Sequence, residues 1–220
     1  MKHRTLVQRL HPELRVDMLP SVARKNRLEP LLARQGIWDS GCGAHCVAMA
    51  MALAGELHSV VELAERRRGV AGRLRRAAQA TYFDGATLDE LAAMIESLRT
   101  GRSITSCAGT TTACLPFALA ALDAGSIVLV SWHSRHGRQH HFALLVGSEG
   151  VQSGANYTPH ALLALDPGVD DVSLCGYNAR LEFTVHPRPV SPLYFRYASG
   201  DGNTLAVRLT GALAIGDRCN

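Results

Sequence analysis

Hydrophobic and polar positions along the chain change period once, close to Gly125. Ahead of that point the apolar residues recur at helical spacing. From Cys42 to Ala54 the sequence is small and apolar on every side, which predicts a buried helix that must be covered all round, with Gly55 as its stop. Residues 60–80 read as an Arg-rich helix or pair of helices broken near Gly69 and Gly72. Thr87-Leu88-Asp89-Glu90 opens another helix, running to about Leu98, with a Thr cap and Glu at the capping-box position. Residues 116–124 form a further helix, with Pro116 in its first turn and Gly125 past its end. The first 34 residues are a polar lead-in of one or two short helices, interrupted at Pro12, Pro20 and Pro30, which serves packing or partner contact.

After Gly125 the pattern becomes β-branched and short. Residues 126–132 and 142–146 predict two antiparallel strands joined by a polar loop, 133–140. A third run, 161–165, stops at the turn signal Asp166-Pro167-Gly168, and further strands are expected at 181–185, 193–197 and 205–209. Helices first and strands later predict an α+β layout.

Composition narrows the class. The 220 residues, 47% of them hydrophobic, suffice for one domain with a substantial core or two tightly joined lobes. No apolar run approaches the roughly 18–20 residues that span a bilayer, so no membrane span is expected. Met1-Lys2-His3-Arg4-Thr5 is not the start of a secretory leader, and the expected location is the cytoplasm, with a translocated effector lacking a cleavable signal as the alternative. Cysteines 42, 46, 107, 114, 175 and 219 lack paired spacing, which predicts reduced thiols. The net charge of +4 owes much to Arg66, Arg67, Arg68, Arg73, Arg75 and Arg76. With no nucleic-acid motif or aromatic platform beside them, these read as a solvated helix face, and no nucleic-acid partner is expected.

The candidate chemistry centres on Asp39-Ser40-Gly41-Cys42-Gly43-Ala44-His45-Cys46. A thiol there stands in the first turn of a helix, where free N–H groups and the positive end of the dipole favour the thiolate. Amide hydrolysis by a thiol also needs an imidazole, a group to orient it and donors for the oxyanion. His141 opens a strand and supplies the imidazole; its neighbour His140 points to the opposite face. Asp166 ends the next strand and can fix the tautomer, with Asn156 as its rival. The backbone N–H of Cys42 and the side-chain amide of Gln35 are the oxyanion donors. Each has a plainer reading: Cys42 as a small buried hydrophobe like Cys46, Asp166 as a cap before Pro167. His133, His136, His140 and His141 fit no standard zinc spacing, so neither a metal nor a cofactor is expected.

In order and context these residues resemble the papain-like cysteine peptidases, in particular the peptidases that process bacteriocins with double-glycine leaders. The matching stretches are Gln35, Cys42-Gly43-Ala44-His45-Cys46-Val47-Ala48-Met49, Val128-Leu129-Val130-Ser131-Trp132-His133, His141-Phe142-Ala143-Leu144-Leu145 and Asp166-Pro167. The longer span between His141 and Asp166 reads as a loop insertion at 147–159. The resemblance implies a papain-like α+β fold, with the nucleophile on a buried central helix packed on an antiparallel sheet. It assigns residues 35–220 to a catalytic domain behind the 1–34 lead-in. It implies a cysteine peptidase acting on a protein or peptide substrate through Cys42, His141 and Asp166 by way of a thioester. Deamidation or transglutamination of glutamine by the same residues, and a non-enzymatic peptide-binding module, are the alternatives.

Overall fold

The computed structural model describes residues 4–36, 39–135, 137, 140–170, 173–183 and 194–218. His136, Asp171 and Cys219 lie outside them. The chain runs β1 (Thr5–Leu10), β2 (Leu14–Val16), β3 (Pro20–Arg24), β4 (Arg27–Pro30), α1 (Cys42–Leu53), α2 (Glu62–Glu65), α3 (Gly69–Gln79), α4 (Leu88–Ser97), β5 (Arg102–Ala108) and α5 (Thr111–Asp123). It continues through β6 (Ile127–Ser134), β7 (His141–Ser153), β8 (Asn156–Leu165), β9 (Ala179–Glu182), β10 (Phe195–Ser199) and β11 (Thr204–Arg218).

The α+β papain-like layout is not what the chain adopts. The protein is mostly β, and β6, β7, β8, β9, β10 and β11 close into a six-strand antiparallel barrel through the β7–β8 pairing. Two errors of scale explain the difference. The strands after Gly125 are far longer than their β-branched cores: β7 continues to Ser153 and β11 spans 15 residues. The segment 147–159 is no loop insertion; it forms the outer half of the β7–β8 hairpin, with Gln152 paired to Tyr157. Its glycines, which weaken a strand by propensity, are required by close approach. A Cβ at Gly147 would stand 2.1 Å from the carbonyl oxygen of Arg9, and one at Gly150 would stand 2.4 Å from that of Thr158.

The second error concerns the first 34 residues, which hold strands rather than helices. β1 pairs along the outer half of β7, from Thr5 opposite Gln152 to Leu10 opposite Gly147, and β2, β3 and β4 form a separate three-stranded sheet. The helices ahead of Gly125 fall close to their expected places. The capping box of α4 is present, with Thr87 Oγ1 accepting from the Glu90 N–H and the Glu90 carboxylate accepting from the Thr87 N–H at 2.7 Å. The helix expected from Pro116 starts earlier, at Thr111, and carries Pro116 inside it.

Two apolar clusters hold the fold. One draws Val128, Val130, Trp132, Ala143, Leu145, Leu162, Ala164, Leu181, Phe195, Tyr197, Val207 and Leu209 from all six barrel strands, so it is the barrel's filling, joined by Cys114 and Ala118 of α5. The other buries α1 between the alternate residues Leu129, Phe142, Leu144, Val146 and Leu163 of the barrel wall, Leu91 and Ile95 of α4, and Val22 of the small sheet. Nearly every side chain of α1 is buried, as a helix apolar all round requires.

Candidate functional site

The amino end of α1 meets the barrel where β6, β7, β8 and β10 converge. His141 begins β7 on the barrel-filling side, opposite Trp132 of β6, and the two rings touch edge-on with centroids 5.0 Å apart. Asp166 follows β8 directly and is almost wholly buried. His141 Nε2 lies 2.7 Å from Asp166 Oδ1, which leaves Nδ1 as the nitrogen available to a partner on the helix. Cys42, in the first turn of α1, is near enough to bear on the charge of the ring. Burial opposes charge on the ring, but the hydrogen bond to Asp166, hydrogen bonding to Cys42 and the charges of both push its pKa up to about 10.

Sequence reasoning missed most of what holds the carboxylate. Asp166 Oδ1 also accepts from the Gly168 N–H at 2.8 Å, and Oδ2 accepts from the Tyr197 hydroxyl at 2.7 Å. Burial, then the negative charge of Asp166, push the Tyr197 phenol far up, so it stays a donor. Asn178, buried, accepts from the Asp166 N–H at 2.7 Å and donates to the Asp166 and Val169 carbonyls at 2.9 and 3.1 Å. Gly168 packs so closely that an added Cβ would lie 3.4 Å from His141 Cε1. Of these, Trp132 and Tyr197 were visible as apolar strand residues, while Asn178 carries no local signal. Asn156, the rival orienting group, sits at the β7–β8 turn opposite Ser153 and is exposed.

The loop ahead of α1 is organised by Asp39. Its buried carboxylate accepts from the Gly36 N–H at 2.6 Å and the Gly41 N–H at 3.0 Å, and lies 3.6 Å from His45 Nε2. Burial holds His45 below its ordinary pKa against the raising pull of Asp39. Gln35 is tied to both sides of the site: its N–H donates to the Pro167 carbonyl at 2.8 Å, and its side-chain amide donates to the Asp39 carbonyl. One of the two amide hydrogens is thus committed to loop structure, and one remains. Gly41 is the N-cap of α1 without a side-chain cap, so the first N–H groups of the helix are left for another acceptor. On the far side of the loop the Ser40 N–H donates to the Tyr82 carbonyl at 2.8 Å, bringing the exposed, mutually packed Tyr82 and Phe83 alongside.

Cys46 lies one turn beyond Cys42 and is fully buried; burial first, then the nearby charges of Cys42 and Asp166, push its thiol well above the ordinary value, which makes it inert. Among the described residues no group of three or more His, Cys, Asp or Glu side chains is arranged to hold a metal ion. Two cavities, about 340 and 390 Å³, lie away from Cys42: the first at the carboxyl end of α1 against Arg24, Leu53, Ala54 and Arg102, the second around residues 24–27 and His58. Neither is lined by Cys42, His141 or Asp166.

No known family's sequence model matches the chain, and no curated protein sequence matches it. Among the described residues no helix is long and apolar enough to cross a membrane.

Proposed function

We propose that the protein is a cysteine hydrolase of amide bonds, with Cys42 as nucleophile, His141 as proton carrier and Asp166 as the group that orients the ring. The observation that carries this reading is the shared environment of His141, bonded through Nε2 to a buried carboxylate and facing a thiol at an uncapped helix start. An imidazolium beside a sulfur favours the thiolate, the form that attacks. A lone pair of the thiolate sulfur adds to the amide carbonyl carbon, and the oxyanion so formed gathers hydrogen bonds from the amino end of α1 and from the second amide hydrogen of Gln35. The intermediate collapses to a thioester as the C–N bond breaks, and the proton on His141 passes to the departing amine. Water then adds to the thioester with His141 as base, and the acid leaves as the sulfur is restored.

The same groups also release ammonia from glutamine or pass the acyl group to an amine, because only the leaving group and acceptor differ. One experiment separates these outcomes: incubation with a broad peptide mixture, read by mass spectrometry. Backbone cleavage supports peptide hydrolysis, a gain of about one dalton supports deamidation, and an amine adduct supports acyl transfer, the acyl-enzyme being common to all three. Cys42→Ala is expected to abolish turnover while leaving the protein folded; turnover that survives in the folded variant removes Cys42 from the reaction.

A further inference from the structure

We propose that the sheet face beside the amino end of α1 is built for an acidic peptide segment, held by a strip that runs from the imidazoles of His140 and His133 to the guanidinium groups of Arg208 and Arg135; this rests on the reading of Cys42 as the nucleophile. The strip begins next to His141. The His140 ring Nδ1 lies 3.1 Å from Thr210 Oγ1, and its ring stands edge-on to that of His133, centroids 6.0 Å apart. His133 of β6 pairs directly with Arg208 of β11, which puts both side chains on one face of the sheet. Ser131 shares that face and meets Thr210 at 3.0 Å, while Gly211 approaches Leu88 at the start of α4, so the strip continues the helix-facing side of the barrel wall rather than its filling.

At its far end two guanidinium groups share one aromatic ring. Arg208 Cζ stands 4.2 Å and Arg135 Cζ 5.8 Å from the centroid of Tyr194. The ring attracts both cations without neutralising either, and the like charges repel. Among the described residues neither makes an ion pair with a carboxylate, and the buried Arg208 Nε has no hydrogen-bond partner. A carboxylate is the ligand that fits the pair: it screens the repulsion, and its oxygens accept from the terminal N–H groups of the guanidiniums. From β7 across β6 to β11 is two strand spacings, about 10 Å. An extended peptide covers that in about three residues, so the preferred Glu or Asp stands about three residues from the one that lies over His140.

The test uses the full chain carrying Cys42→Ala, which removes turnover from the measurement. Binding of a short dye-labelled peptide rich in glutamate is compared with that of its glutamine counterpart by fluorescence anisotropy. The glutamate peptide is expected to bind at least about tenfold more tightly at low salt, and the preference is expected to shrink steeply as ionic strength rises. Arg135→Gln and Arg208→Gln are each expected to remove most of it; should loss of the Tyr194 contact unfold the Arg208 variant, the exposed Arg135 decides the matter. Equal binding of the two peptides, a preference that survives both substitutions, or competition by a single-stranded oligonucleotide as strong as by the glutamate peptide overturns the proposal. Selective binding by a protein whose intact Cys42 turns over no peptide leaves the strip standing and removes the hydrolase reading; cleavage without acidic preference does the reverse.

Discussion

The two ends of α1 are treated in opposite ways. At the carboxyl end the orphan carbonyls are covered by cations: Arg24 donates to the Ala52 carbonyl, and Arg102 donates to that of Ala54 at 2.7 Å while also bonding the buried Glu56 at 2.9 Å. Arg218 reaches the same carboxylate at 2.8 Å. At the amino end the cap is a glycine with no side chain to offer, and the nearest carboxylate, Asp39, bonds Gly36 and Gly41 of the loop. One end is closed by charges that complement the dipole. The other is left open beside a thiol and a charged ring.

The largest effect that sharpens this contrast is expected from pH. The folded His141 ring keeps its proton up to about 10, whereas an ordinary histidine releases it near 6.5. Between those values the folded state binds more protons than the unfolded one, so the ring's contribution is full below about 6.5 and is lost as pH rises through about 10. Thermal unfolding followed across that window is expected to show falling stability, and His141→Gln to flatten the slope. A wild-type curve rising across the window would contradict the charged pair.

Next in size is Arg102→Ala at the opposite end, which leaves Glu56 to Arg218 alone and takes the cation from the Ala54 carbonyl, and is expected to cost about 2 kcal/mol in urea unfolding. The alkylation rate of Cys42 by iodoacetamide is expected to stay unchanged in that variant. A matching fall in thiol reactivity would break the distinction between the two ends. Smallest is Tyr197→Phe, which takes one donor from the buried Asp166 and is expected to cost about 1–2 kcal/mol. Because the carboxylate then bears more concentrated charge against the ring, the His141 midpoint, followed by its NMR titration, is expected to move upward; a midpoint that falls or holds would show that Tyr197 only packs.

How much of this was legible in the sequence depends on the range of the contacts involved. The helix at Cys42 and the capping box at Thr87 are local, written within a few residues, and were found almost to the residue. That a strand begins at His141 and another ends before Asp166 was also legible from short apolar runs next to turn residues. The barrel was not, because it closes through a β7–β8 pairing that runs past Gly147 and Gly150, and β11 reaches along β6 through Gly211, where an added Cβ would meet Ser131 Oγ at 2.9 Å. Propensity sees such glycines as breaks, and only the neighbour's proximity explains them. Tyr197 and Asn178 were invisible as site residues for the same reason, being brought to Asp166 by the β9 and β10 pairings.

The pairing of β1 with the outer half of β7 has a consequence for synthesis. Residues 5–10 are made well before the residues they pair with, Gly147 to Gln152. A growing chain must therefore carry an unpaired edge through most of its translation, and closing so long a loop is slow. The docking of that early segment is therefore a late step of folding, set by the topology.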